Sequence, residues 1–259
     1  MSEHILMSFS KGIATIKFNR PEKRNAITEE MWLTLQRYVE QADELNDVGI
    51  IVITGAGGNF IAGADLSEYE TIHTSTESTI RYLNIVSRAF AALATAKKAT
   101  VAKIEGACIG GGCLIACACD LRYATDNSRY CFPPSMIGLI FPLSDTKRLI
   151  DLLGPAVAKE LIFSARVFYA PEAFQFGMLN AIFSADEFEA GVEDRLRGIL
   201  ANSPSSVITM KKIFGKILDG RTNDDSETQQ WLRDALRSAD YLEGQAAFKE
   251  KRSPRFRFS

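Results

Sequence analysis

Two short glycine-containing segments hold the chemistry this sequence offers: Ile61-Ala62-Gly63-Ala64-Asp65-Leu66 and Ile109-Gly110-Gly111-Gly112-Cys113. Each follows a β-branched run and precedes a helical pattern. The first N–H groups of a helix have no intrahelical acceptor and carry a partial positive charge. Two such turns facing one another would hold a carbonyl oxygen while negative charge develops on it. Glycine permits the close backbone approach that this requires. Either turn taken alone reads as core packing, so the reading rests on the pair.

Other chemistries fail on residue type or spacing. Gly55-Ala56-Gly57-Gly58-Asn59-Phe60 also follows a strand, but Phe60 stands where a dinucleotide fingerprint needs its third glycine. A phosphate-binding loop is excluded because Gly63 precedes Ala64-Asp65 and not Lys followed by Ser or Thr. That loop is read as a chain reversal. Cys113, Cys117 and Cys119 stand four and two residues apart, giving no Cys-x-x-Cys pair, and His4 and His73 are the only histidines. No metal site is expected, and the cysteines read as small buried thiols. A Ser-His-Asp hydrolase is excluded as well, since no Gly-x-Ser-x-Gly elbow exists, His4 is terminal and His73 falls in a polar loop. Asp65 reads as a helix cap, Glu68 to Glu70 (with Tyr69 between) as a solvated helix face, and Glu105 as a buried, hydrogen-bonded structural carboxylate.

The elements that position the two turns alternate. Strands are expected at 12–18, 49–54, 99–104, 121–124 and 129–132, and helices at 28–45 and 79–94, which is an α/β rhythm. The first helix has Thr28 as its cap, Glu29 and Glu30 in its first turn, and Met31, Trp32, Leu35, Val39, Ala42 and Leu45 on one face. Past residue 200 the strands stop, and Val207, Met210, Ile213, Phe214 and Ile217 recur at helical spacing behind Ser203-Pro204. Further helices at 225–237 and 240–249 are too short to stand alone and must pack on the main body or a neighbour. The chain is therefore divided into a core, 1–200, and a helical region, 201–259. Its 259 residues carry 30 basic and 32 acidic side chains, a net charge of −2 that argues against nucleic acid as the partner. With 46% hydrophobic and 24% charged residues, it reads as an ordinary globular chain. Five cysteines and no basic-then-apolar leader in the first ten residues point to the cytoplasm. No window reaches the ~18 apolar residues of a membrane span.

The residues Ala62-Gly63-Ala64-Asp65 and Gly110-Gly111-Gly112, in this order and spacing, resemble the crotonase superfamily of enoyl-CoA hydratases and isomerases. The resemblance runs from Phe18-Asn19-Arg20-Pro21 and Arg24-Asn25-Ala26, through Gly154 and Gly177-Met178-Leu179-Asn180, to the tail from Glu243 to Arg252. It implies a spiral of ββα units followed by a C-terminal helical trimerisation region, in trimers that commonly pair into hexamers. It implies an acyl-CoA thioester substrate, with coenzyme A entering only as part of that substrate and no other cofactor. The thioester oxygen would accept from the N–H groups of Ala64 and Gly111, which stabilise an enolate. Lys23 or Arg24 would contact the coenzyme's phosphates, and Phe248 and Lys251 would reach it from a neighbouring subunit. Ala26, Ala62, Asp65, Leu66, Leu114, Pro134 and Phe141 complete the substrate-binding set implied by the resemblance.

The departures matter as much. Hydratases of this superfamily carry two glutamates at the positions that read Leu114 and Pro134 here, and neither side chain transfers a proton. The segment from Phe132 to Phe141 looks closer to decarboxylases of methylmalonyl-CoA type, although those have a histidine at the Ala64 position and a tyrosine at the Phe141 position. Asp145 follows Pro142-Leu143-Ser144 where relatives vary their catalytic groups, so it is the acid/base candidate. Its plainer reading is a helix N-terminal charge. The expectation is an acyl-CoA-processing enzyme with an acid/base set unlike the family's usual pair. The alternatives are a carboxyacyl-CoA decarboxylase or other lyase, and a catalytically silent acyl-CoA-binding subunit.

Overall fold

The computed structural model describes residues 3–72 and 74–256, with the backbone alone at Tyr69. His73 lies outside the described residues. In chain order the elements are β1 (Ile5–Ser10), β2 (Ile13–Phe18), α1 (Glu29–Glu44), β3 (Ile50–Gly55), α2 (Tyr69–Ile72), α3 (Thr76–Thr95), β4 (Ala99–Ile104), β5 (Ala107–Ile109), α4 (Gly111–Ala118), β6 (Leu121–Thr125) and β7 (Arg129–Cys131). There follow α5 (Leu143–Ser164), β8 (Phe168–Tyr169), α6 (Ala170–Gln175), β9 (Ala181–Phe183), α7 (Phe188–Leu200), α8 (Pro204–Leu218), α9 (Ser226–Ala235) and α10 (Ala239–Glu250). Short 3-10 turns occupy Pro21–Lys23, Leu66–Glu68 and Pro134–Ile137.

The main sheet has the order β1-β2-β3-β4-β6-β9, parallel throughout except for the β1–β2 pair. A smaller sheet has the order β5-β7-β8. Successive repeats therefore send one strand to the large sheet (β4, β6) and the next to the small one (β5, β7) before turning into a helix. The chain winds as a spiral, and this is the crotonase fold. The strand β3 is buried along its whole length, as a central parallel strand must be. Its period of two divides it: Ile51 and Ile53 join the larger core with α1, α3 and α4, whereas Ile50 and Val52 face a second cluster with Phe188, Val192 and Leu196 of α7.

The helix α1 begins where Thr28 stops the extended chain, its side chain accepting from the Met31 N–H at 3.3 Å. Its buried face, Met31, Trp32, Leu35, Val39 and Ala42, is the predicted one widened by Thr34 and Tyr38 but without Leu45, which is exposed as the C-cap because the helix ends at Glu44. The helix α3 starts earlier than the apolar spacing suggests because Ser75 and Ser78 form a reciprocal cap. Beyond α7 the packing thins. No residue of α8 or α9 is buried, and only Ala247 is in α10. Asp240 of α10 accepts from the Ser203 and Ser205 hydroxyls at 2.7 and 2.8 Å, which ties the tail to the start of α8. No described helix is long and apolar enough to cross a membrane.

Candidate active site

Three rungs of backbone stack across the turns between strands. Ile27 N–H donates to Gly63 O and Asp65 N–H to Ile27 O, each at 2.8 Å. Ile61 N–H donates to Ala107 O and Ile109 N–H to Ile61 O, each at 2.9 Å, and Gly110 N–H donates to Cys131 O at 2.9 Å. The segments around residues 64 and 111 thus lie in neighbouring turns of the spiral. Alternation along an extended chain directs the intervening Ala64 N–H away from Ile27. Gly111 is the first residue of α4, where no intrahelical acceptor exists. Among the described residues neither N–H meets a protein acceptor.

Glycine is required at this junction. Gly110 has φ 54 and ψ −113, a conformation closed to other residues. A Cβ on Gly63, whose φ is 101, would lie 3.2 Å from Ile109 O and 4.0 Å from the Gly111 nitrogen. On Gly112 it would lie 2.3 Å from Ile61 O. The two turns expected to face one another do so. They differ in kind, however. Gly111 opens an eight-residue helix, while Ala64 leads into the 3-10 turn Leu66–Glu68 and then the four-residue α2. The Ala64 amide is held by pairing with Ile27 rather than by a helix start, because Asp65 closes that turn on Ser67.

Asp65 accepts from Ser67 N–H at 3.0 Å, Ser67 Oγ at 2.8 Å and the Arg20 guanidinium at 2.7 Å. Burial alone would push its carboxyl up, but these three donors outweigh it and bring it down to about 2. The same Arg20 donates to Ala26 O at 2.9 Å. Asn25, fully buried with φ 59, donates from its amide to the carbonyls of Ala56, Asn59 and Phe60 and accepts from Arg20 N–H. Ala62 N–H donates to Arg24 O at 3.0 Å, so the Arg20–Ile27 loop clamps the first turn along its length. The sequence had singled out Asn25 only within a resemblance. A polar residue at positive φ with no exposure is a signal visible only once the backbone is placed.

With this geometry in view, the sequence model of the enoyl-CoA hydratase/isomerase family matches residues 8–258. The chain belongs to this family. It is 30% identical over 250 residues to a peroxisomal Delta(3,5)-Delta(2,4)-dienoyl-CoA isomerase of Arabidopsis thaliana, covering 92% of this chain and 90% of that one. It is 27% identical over 259 residues to a crotonyl-CoA hydratase of Syntrophomonas wolfei, covering 98% of each. The solved enoyl-CoA hydratase/carnithine racemase of Magnetospirillum magneticum superposes with a TM-score of 0.95 at 27% identity, covering 100% of this chain and 97% of that one.

The remaining positions fall as follows in this member of the enoyl-CoA hydratase/isomerase family. Leu114 and Pro134 are buried, on α4 and at the start of a 3-10 turn, and Phe141 packs partly buried against the main core. Leu66, Lys23 and Arg24 are exposed. Asp145, in the first turn of α5, is buried, with Ser87 Oγ on one oxygen at 3.0 Å and Ser144 Oγ and Arg148 on the other at 3.3 and 2.8 Å. Phe248 and Lys251 are exposed at the end of α10. Two expectations need correction. Glu68 is not a solvated face, because its carboxylate accepts from Glu29 N–H at 2.8 Å, where the α1 N-terminus attracts it. Glu105 is only half-buried, and it is its carbonyl, not its carboxylate, that accepts from Phe60 N–H. Cys117 and Cys119 are buried thiols, pushed by burial to about 12 against the pull of Arg122. Among the described residues no cluster of His, Cys, Asp or Glu is placed to hold a metal ion.

Proposed function

We propose that this chain processes acyl-CoA thioesters by stabilising an enolate between the N–H groups of Ala64 and Gly111, with an acid/base set unlike the family's usual pair. The observation that carries it is the stacking of these two amides in adjacent turns, each without a protein acceptor among the described residues. Loss of one such donor typically costs ~10²–10³ in rate. Leu114 and Pro134, at the positions of the hydratase glutamates by resemblance, leave water without a proton partner. Coenzyme A belongs to the substrate, and no separate cofactor is invoked. Lys23, Arg24, Phe248 and Lys251 contact it, the last two across a subunit boundary in a trimer or hexamer. Buried thiols fit a reducing compartment such as the cytoplasm.

The apolar residues at 114 and 134 favour a second reading, decarboxylation of a carboxyacyl-CoA. There the bond from the α-carbon to the carboxylate breaks, its electron pair passes into the enolate, carbon dioxide leaves, and a proton then adds to the α-carbon. No base is needed to start it. The test is turnover on crotonyl-CoA and on a panel of carboxyacyl-CoAs, with carbon dioxide measured. Crotonyl-CoA hydration is expected to be far below ordinary rates of ~1–10³ per second, and hydration within that range overturns the acid/base part of the proposal. Asp145 is carried as the proton-handling candidate. Asp145→Asn that abolishes turnover while the unfolding midpoint stays unchanged assigns that role, and unchanged turnover leaves the residue to its ion pair. Binding without any turnover would make the chain a silent acyl-CoA-binding subunit.

A further inference from the structure

Trp32 lies one turn into α1 with 1% of its surface exposed, and its indole is fixed at three places. Its ring meets Phe90 edge to face, with centroids 5.3 Å apart at 85°. Its Nε1–H donates to the Tyr82 hydroxyl at 3.1 Å. Its far edge, Cζ2 and Cη2, stands 3.0 Å from the point a Cβ would occupy on Gly111. The α-carbon that carries the second oxyanion N–H therefore rests against a rigid ring. Burial, then the charges of Glu68, Glu29 and Asp65, push the Tyr82 hydroxyl up to about 12 against the Trp32 hydrogen bond, so it stays protonated at neutral pH. A smaller or branched side chain at 32 would leave part of the core unfilled and would not reach Gly111 with a flat, fixed edge.

We infer that Trp32, pinned by Tyr82, is a positioning residue that sets where the Gly111 N–H points and hence how strongly the thioester oxygen is polarised. This rests on the oxyanion reading given above. The alternative is that Trp32 only fills space in the core. The two differ in what a trimmed ring does to a bound thioester. If the ring supports Gly111, trimming it lets the first turn of α4 settle. A displacement of about 1 Å at a catalytic group is worth up to about 10² in rate. If the ring is filler, trimming costs stability alone.

The experiment reads polarisation directly, as the red shift in absorbance when cinnamoyl-CoA binds the full chain. Wild type should show the shift. Tyr82→Phe, which keeps the ring and removes the hydroxyl, should reduce it. Trp32→Phe should reduce it further and lower turnover on any accepted substrate by up to about 10²-fold, with coenzyme A affinity unchanged. Gly111→Ala adds a methyl against Cζ2 and Cη2, part of the outer edge that Trp32→Phe cuts back by three heavy atoms, the Nε1 donor among them. The red shift lost to Gly111→Ala should thus be smaller in the Trp32→Phe background than in wild type. Folded Trp32→Phe and Tyr82→Phe proteins with the wild-type red shift, or equal losses from Gly111→Ala in both backgrounds, overturn the inference. A wild-type protein that binds the probe without a shift, or does not bind it, overturns the oxyanion reading and this inference with it.

Discussion

Asp65 lies next to the Ala64 amide, yet its oxygens are already engaged by Arg20 and Ser67. Such a carboxylate, with three donors on its roughly four lone-pair sites, holds a turn in shape. Its influence on the molecule is therefore a pH-dependent stability. The native carboxyl is held at about 2 against an ordinary 3.8. A depressed native value means the stabilisation is complete above about pH 4 and is lost as pH falls towards about pH 2. The difference amounts to about 2 kcal/mol. Urea unfolding of wild type and Asp65→Asn should show the gap between them shrinking by about that much from pH 5 to pH 2. A gap that stays constant across this window would mean that Asp65 is not ionised against Arg20 in the native state.

Among the elements, α5 is two helices joined at one residue. Gly154 has φ 75 and ψ 160, and Pro155 follows it as the first residue of the second segment. That backbone region is open to glycine almost alone, and no neighbouring atom lies within 4 Å of a Cβ built there. Gly154→Ala should therefore cost about 1–3 kcal/mol from backbone strain, with no clash to relieve it. A urea midpoint equal to wild type would show that the joint tolerates a side chain. Elements of this main body were readable where a single local rule decided them. The strand at 99–104 is Ala99–Ile104, and Thr28 caps α1 as expected. The β1 strand shows no period-two signal because only Ile5 of its six residues is buried, and its pairing with β2 is what holds it extended. The two-residue β8 carries too few residues for any period. At the site, the two glycine turns were legible through their residue types. Asn25, Trp32 and Tyr82 were not, because their contacts join residues 31 to 79 positions apart in the chain, as in Asn25–Ala56, Trp32–Tyr82 and Trp32–Gly111.

At the scale of the whole molecule the two ends of the chain differ in how well they are satisfied. The spiral buries both faces of its main sheet, whereas the tail presents Met210, Phe214, Ile217, Leu232, Leu242 and Phe248 to the outside. A groove of about 1060 Å³ between α8, the first turns of α5 and the Pro254–Phe256 segment adds to this apolar surface. Short helices with exposed apolar faces need a packing surface. A second and third copy of the chain would supply one, and the same packing would bring Phe248 and Lys251 towards a coenzyme held by another copy. Assembly and binding are then linked. Deleting residues 239–259 should shift the protein to smaller or aggregated species and weaken coenzyme A binding together. Lys251→Ala should weaken binding alone, with a loss that fades as salt rises, because the lost contact is between exposed charges. Sedimentation and calorimetry on the two variants separate these effects. A truncated chain that still sediments as a trimer or hexamer and binds coenzyme A as wild type does would remove α10 from both roles, and would leave α8 and α9 as the surface to test next.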